Sequence, residues 1–421
     1  MMSRWYWILS QLTRRMWFRA SLFSLAAIGT ALLAIIISPY IPQDLPTKIG
    51  ADAVDNILTI LASSMLAVTT FSLSTMVSAY SAATNNVTPR ATRLVIEDTT
   101  TQNMLSTFVG SFLFSLVGII VLSTGAYGES GRVVLFAVTI FVVVLIVLTL
   151  LRWIDHLSRL GRVTETTERV ESATAEAMRV RKSAPFLGGN ELVDLEKDVP
   201  ASARPIYGSS IGYVQHVDAG GLQDIAENGK GRIYVAVIPG QFTTPMEPIA
   251  WADSVDDDNQ ESSIRGYFTV GDTRSFDQDP RFGASVLSEI ASRALSPGIN
   301  DPGTAIDVIG RAVRVLSIWA HQTEKGAEEV RFPNLYVPGI AIDDLFDDLF
   351  TPIARDGAPV VEVGLRLQKA LRDLATLEGE SRYLLNAKKH SRLAMERAEQ
   401  ALVIDDDKHR LRAVASKIAE L

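Results

Sequence analysis

Between Asp55 and Arg90 the chain carries no charged residue. In hydrocarbon, backbone N–H and C=O groups must be satisfied within the spanning structure, so a stretch of this kind points to a membrane helix. Three further apolar segments share the character: about Ala20 to Ile37, Met104 to Thr124 and Val133 to Leu151. Each approaches or exceeds the roughly 20 residues that a bilayer crossing requires. Charged residues are scarce from Ala20 to Leu151 and dense after Arg152. The expected fold is therefore an α-helical membrane domain of four transmembrane helices over residues 1–152. A cytoplasmic α+β domain follows it, with a small β-barrel-like part and a helical C-terminal part. Its expected divisions are a helical stalk or connector at 153–185, a β-rich subdomain at 186–275 and a helical subdomain at 276–421.

Arg4, Arg14, Arg15 and Arg19 precede the first apolar run, as basic residues precede the apolar core of a signal peptide. That run exceeds the about 7–15 residues of such a core. It leads to Ser38-Pro39-Tyr40-Ile41-Pro42 and not to a small-x-small cleavage site, so it reads as a retained anchor. The Lys and Arg bias orients the helices. Arginines cluster at the N-terminus, at Arg90 and Arg93, and at Arg152, Arg159 and Arg162, whereas the other two connections hold only Lys48 and Arg132. The expectation is a bacterial inner-membrane protein with both termini cytoplasmic. Trp5, Trp7, Trp17 and Trp153 fall near the inferred cytoplasmic ends, where interfacial tryptophans gather.

The second apolar segment differs from the others. Asn56, Thr59, Ser63, Ala67, Thr70, Ser74, Ser78, Ser81 and Asn85 recur every three or four residues and form one small, polar helix face. Val54, Leu58, Leu61, Met65, Val68 and Met76 occupy the other face. Small residues let helices approach closely, and a polar face can also line a water-filled path. Both readings stand on the sequence. The third segment has a shorter stripe in Thr107, Ser111, Ser115 and Gly118. No ionisable residue is expected in mid-membrane, which argues against a proton relay.

Beyond Arg152, Leu160, Val163, Thr167, Val170, Thr174 and Ala177 follow heptad spacing. A helix on its own domain and a stalk joining subunits both fit this pattern. Strands are expected at 208–218, 232–238, 249–251 and 263–270, with a short helix near 221–227 and an acidic loop at 253–261. Helical patterns follow at 282–295, 304–322, 343–353, 360–377, 380–402 and 406–421.

A net charge of −8 argues against a nucleic-acid partner. With no cysteine, disulfides, thiolate metal sites and cysteine nucleophiles are excluded. The five histidines never fall at zinc-site spacing. His216 and Asp218 would share a strand face and read as a hydrogen-bonded surface pair, with a ligand or acid–base pair as the alternative. Asp343, Asp344, Asp347 and Asp348 read as solvated carboxylates near a helix start rather than as a cation site. The densest polar region holds Arg274, Asp279, Arg281, Arg293, Asn300 and Asp301. It reads as a charge network joining the β and helical parts, or as a ligand site, with Arg274, Arg281 and Arg293 pairing with Asp272, Asp279 and Asp301. Pro297, Gly298 and Pro302 force a turn, and Asn300 or Asp301 caps the helix that follows.

Gln278-Asp279, Phe282-Gly283 and above all Arg293-Ala-Leu-Ser-Pro-Gly-Ile-Asn-Asp-Pro302 carry a resemblance. Pro89-Arg90, Pro239-Gly240 and Gly212-Tyr-Val add to it. The chain resembles, over almost its whole length, the bacterial family of predicted membrane proteins known as domain of unknown function 2254. The resemblance implies the same order of four spans, β region and helical tail; it transfers no catalytic residue and no cofactor. The functional expectation is a non-enzymatic membrane protein without cofactor or metal. It is read as a homo-oligomeric channel-like pore with a cytoplasmic gating or sensing domain, lined by the polar face from Asn56 to Asn85. Arg90 and Arg93 would lie at its cytoplasmic mouth, and Asp52 and Asp55 at the outer one. A non-conducting envelope scaffold or signalling protein is the alternative, and a membrane-bound enzyme ranks below both.

The arginine bias makes a direct prediction. Reporters fused after Leu421 and inserted at 90–103 should both report the cytoplasm, and one inserted at 42–52 should report the periplasm. A periplasmic C-terminus would refute the four-span arrangement.

Overall fold

The structure is a computed structural model of the 421-residue chain, described at residues 7, 9, 12–13, 16–37, 51–124, 128–253, 258–320, 330–377 and 381–421. It divides into two units. The membrane unit comprises residues 8–85 and 92–165; the soluble unit comprises residues 1–7, 86–91 and 166–421.

The membrane unit contains α1 (Met16–Ile37), α2 (Ala51–Asn86), α4 (Thr99–Ser123) and α5 (Gly128–Leu157), with the short α3 (Pro89–Ile96) between α2 and α4. Among the described residues, three helices are long and apolar enough to cross a bilayer, over Ala53–Asn85, Thr99–Ser123 and Arg132–Leu157. α1 carries a shorter apolar run, Trp17–Gly29. The connections at 38–50 and 125–127 lie outside the described residues. At about 1.5 Å per residue α2 is about 54 Å long, well beyond the hydrocarbon thickness of about 30 Å.

α4 is the central helix because its small residues admit its neighbours. A Cβ on Gly110 would lie 3.4 Å from the Phe23 carbonyl oxygen of α1, and one on Gly118 would lie 3.1 Å from Leu58 Cδ1 of α2. Val54, Leu58, Phe114 and Leu135 form one buried cluster; Met65, Met104, Phe108, Ile146 and Trp153 form a second. Trp153 is thus buried within the bundle. Gly161, at φ +80°, turns the chain after α5. A Cβ there would lie 3.2 Å from the Ala79 backbone. Both the conformation and the close approach favour glycine.

The soluble unit opens with α6 (Val163–Ser183), the expected connector. Its heptad positions Thr167, Val170, Thr174 and Ala177 are buried in its own unit. Glu171 ties α6 to Arg311 at 2.6 Å and Arg314 at 2.6 Å on α11 (Pro302–Ala320). The strands form two open sheets, where a barrel was expected. β1 (Asn190–Glu191), β8 (Leu335–Val337), β4 (Ile233–Val235), β6 (Pro248–Ala252) and β2 (Arg204–Tyr207) lie side by side in that order. β8 pairs in parallel with β1 and β4, and the remaining pairs of that sheet are antiparallel. β5 (Phe242–Thr243), β3 (Gly212–Val217) and β7 (Phe268–Gly271) form the second, antiparallel sheet. β8 comes from between two long helices, so an inner position of the larger sheet is filled by a strand remote in sequence. Very short strands leave few ladder bonds with which to close a barrel. α7 (Leu195–Asp198) and α8 (Ala219–Asn228) connect strands, and α9 (Asp258–Gly266) replaces the later part of the expected acidic loop.

α10 (Pro280–Ala294), α11, α12 (Ile342–Asp356), α13 (Val361–Ala375), α14 (Ser381–Ala401) and α15 (Asp405–Ala419) complete the unit. These match the sequence expectation to within a few residues, because each is an amphipathic helix of conventional length. Their core holds Phe346, Phe350 and Tyr383, whose hydroxyl donates to the Leu316 carbonyl at 2.9 Å.

The two glycine environments of the membrane unit predict opposite outcomes. Gly118→Leu should destabilise by about 1–3 kcal/mol through overpacking against Leu58. Gly29→Leu, with no heavy atom within 4 Å of its Cβ position, should leave stability unchanged. Thermal unfolding of the purified full chain in detergent distinguishes them; equal effects would contradict this packing.

Candidate functional site

The long polar face of α2 lies opposite the face that packs into the bundle. Asn56, Thr59, Ser63, Ala67, Thr70, Ser74, Ser78, Ser81 and Asn85 are all exposed in the monomer. Val54, Leu58, Met65 and Met76 are buried, and Leu61 and Val68 half-buried. Hydroxyls along the face bond back to their own helix: Ser63 to the Thr59 carbonyl at 3.0 Å, Thr70 to Leu66 at 2.9 Å, Ser78 to Ser74 at 3.0 Å. Ile60, Phe71 and Val77 are exposed beside them. The stripe of α4 has the reverse fate, since Thr107, Ser111, Ser115 and Gly118 are buried within the bundle. The outward residues of α5 are of another kind: Ile140, Phe141, Val144, Leu148 and Ile154. α2 is therefore the helix that turns hydroxyls and amides outward where α5 presents hydrocarbon.

The sequence reading places Arg90 and Arg93 at the cytoplasmic mouth of a pore. In the structure, Arg93 pairs with Glu97 at 2.7 Å and Arg90 with Glu289 of α10 at 2.8 Å. Thr88 donates its hydroxyl to the other oxygen of Glu289 at 2.9 Å. At the other end Asp55 is exposed, whereas the side chain of Asp52 lies outside the described residues.

The polar motif region of the soluble unit centres on Asp279, only 3% exposed. Its carboxylate caps α10 by accepting the Phe282 N–H at 3.0 Å, and Pro280 follows at the first helical position. Arg274 donates to both carboxylate oxygens, at 2.8 and 3.0 Å. Pro239-Gly240 closes over the same group: Gly240 sits at φ +97°, and a Cβ there would fall 2.2 Å from Asp279 Oδ2. Burial raises the Asp279 carboxyl above its ordinary range against the opposing pull of Arg274. Arg181 of α6, 2% exposed, is pushed down to about 10 by burial, with the charge of Asp279 acting against the shift.

The expected pairings are redistributed. Arg281 reaches away from Asp279 to Asp344 and to Asp348, the latter at 2.8 Å, both on α12. Burial works to lower Arg281, yet the hydrogen bond and charge of Asp348 and the charge of Asp344 leave it raised. The aspartates of α12 are thus not merely solvated. Asp343 accepts from Asn386 at 2.7 Å, and Asp347 meets Lys389 at 3.2 Å. His390 faces Asp347 at 3.2 Å and is held down at about 4 by burial. Among the described residues, no group of three or more metal-binding side chains occurs. Asp301 caps α11 through the Thr304 N–H at 3.1 Å and its hydroxyl at 2.6 Å, which hold its carboxyl low. The left-handed residue of the preceding turn is Asn300, at φ +53°, while Gly298 has no heavy atom within 4 Å of its Cβ position. Arg293 lies in the last turn of α10, apart from the Asp279 centre.

His216 and Asp218 do not form a surface pair. A bulge between Val214 and His216 breaks the two-residue alternation, and β3 ends at Val217. His216 is buried against the Trp7 ring, with centroids 5.3 Å apart, and Asp218 caps α8 through the Gly221 N–H at 3.1 Å. Trp7 is likewise buried, and its indole N–H donates to Asp277 Oδ2 at 3.0 Å. Sequence reasoning gives Trp7 another role and assigns none to Thr88, Asp277 or Glu289 individually. Their partners lie 201 and 270 residues away, and the Pro89-Arg90 match was the only pointer to any of them.

The chain belongs to the family described as "Predicted membrane protein (DUF2254)", whose model matches residues 13–373. It is similar to "Uncharacterized protein Mb1321c" of Mycobacterium bovis, at 30% identity over 135 residues, covering 30% of this chain and 26% of the relative. "Uncharacterized protein Rv1290c" of Mycobacterium tuberculosis matches with the same identity and coverage. "Uncharacterized protein MT1328" of that species is 33% identical over 138 residues, with the same two shares, 30% and 26%. The chain thus matches about a quarter of the length of these relatives. No solved structure matches the chain.

Asp279→Asn should cost about 3–5 kcal/mol, because it removes a buried carboxylate and leaves cationic neighbours uncompensated. Asp344→Asn, at a half-exposed end of its ion pair, should cost less than about 1 kcal/mol. Chemical unfolding of the full chain checks both; a mild Asp279 variant would show that the centre does not hold the fold.

Proposed function

We propose that this chain is an inner-membrane protein whose α2 helices come together in a homo-oligomer and line a hydrated path with their polar faces. One observation carries the reading: the full-length polar face of α2 points away from its own bundle. Serine, threonine and asparagine gain nothing from lipid, and a second copy or water satisfies their remaining hydrogen-bonding capacity. In this reading α1, α2, α4 and α5 all span the bilayer. The soluble unit sits in the cytoplasm and senses or gates. The arginine bias supports that placement. The path would be narrow and uncharged along its length, so it would select by size and hydration and not by a ring of charge. The role is non-catalytic.

A second reading has its own support. Because the hydroxyls of Ser63, Thr70 and Ser78 are bonded to their own backbone, the face also suits dry packing between copies. That would make the protein an oligomeric scaffold.

Thiol labelling separates the two, and the absence of native cysteine keeps it clean. Single cysteines at Ser63, Thr70, Ser74 and Ser78 should react with small water-soluble maleimides, while those at Leu61, Met65 and Val68 stay protected. Uniform protection along the face in assembled protein would overturn the path in favour of the scaffold. A monomer by light scattering would overturn both.

A further inference from the structure

Three stretches of the soluble unit continue directly into the membrane unit: the N-terminal segment at Trp7, the 86–91 loop and α6. Each meets α10 or the turn that leads into it. Trp7 donates to Asp277, two residues before the Asp279 cap of α10. Thr88 and Arg90 share the carboxylate of Glu289, in the third turn of α10, at 2.9 and 2.8 Å. α6 approaches α10 so closely at Gly283 that a Cβ there would lie 2.1 Å from Thr174 Oγ1. The segment that receives all three, from Asp277 through α10, is fixed in turn at the helix start by Asp279 and Arg274 and, through Arg281, by Asp344 and Asp348 of α12.

We propose that α10 is the mechanical relay of this protein, and that Glu289 is the positioning residue that couples it to the end of the polar helix α2. This deepens the reading above and rests on it for its purpose, since a gating domain needs a rigid element that reaches the chain at the end of the path-lining helix. α10 suits that task physically. It is a single helix of 15 residues with a side-chain cap from Asp279. Such a charge-assisted cap stiffens the helix start, so a shift at one end is transmitted to the other. Glu289 grips both members of a short loop, one by a hydroxyl and one by a guanidinium. Its carboxylate therefore sets the position at which the chain leaves α2. The polar motif region then has a role beyond folding, because its Asp279 centre sets where α10 begins.

The test uses the full chain in nanodiscs and needs no conduction. Val87 is fully buried beside the gripped residues, so Val87→Cys reports release of the loop through its labelling rate. Glu289→Gln should raise that rate by about tenfold, the scale of one lost charge-assisted contact. Arg90→Ser, made from the other side of the pair, should do the same and serves if the Glu289 variant fails to assemble. The relay itself is tested by Asp277→Asn, which alters the Trp7 contact and should raise the Val87→Cys rate about threefold or more through α10. Unchanged labelling with Glu289→Gln and Arg90→Ser would overturn the coupling role of Glu289. Unchanged labelling with Asp277→Asn would overturn the relay and leave independent anchors. Absence of flux in liposomes, by contrast, would count against the hydrated path alone.

Discussion

A carboxylate buried beside cationic side chains organises the soluble unit. Asp279 starts α10, accepts the fork of Arg274, opposes the buried charge of Arg181 and lies directly under the Pro239-Gly240 turn. Such a group is costly to desolvate, and only a full set of donors makes burial tolerable. That requirement brings the β part, α6 and the C-terminal helices to one point. The turn after β4, the Arg274 loop and the helix end must all arrive together, or a charge is left without compensation. Specific geometry follows from this demand more than from hydrophobic burial, which is non-directional.

The membrane unit answers to a different constraint. Inside a bilayer, apolar burial does not drive helices together, and packing depends on how closely backbones can approach. α4 meets this with Gly110 and Gly118 and with small hydroxyl residues turned inward. Its apolar neighbours close over it. α2 has a similar polar composition but packs through Val54, Leu58 and Met65, so the hydroxyls of its long stripe remain outside while Ser72 is buried. The proposed assembly follows from that difference in facing, and the proposed relay through Glu289 concerns the loop in which α2 ends.

Much of the outline was legible. The apolar segments, the helix boundaries from α10 to α15 and the Asp301 cap all follow from local rules of periodicity and capping. The site was legible only in part. Asp279 and Arg274 stand close in sequence, and their pairing could be anticipated. Arg281 turned instead to α12, a bulge shifted the alternation of β3 by one residue, and His216 was buried against the remote Trp7. The barrel expectation failed because β8, remote in sequence, supplies an inner strand of an open sheet.

The sequence by itself determined the division into an apolar N-terminal part and a charged remainder, the helices of the C-terminal part and the family to which the chain belongs, because hydropathy, periodicity and capping act over a few neighbouring residues. Only the tertiary structure decided which of two similar polar stripes was buried. It alone joined Trp7 to Asp277 and Glu289 to Thr88 and Arg90. Those outcomes depend on which surfaces meet after long excursions of the chain, and no local pattern encodes that encounter.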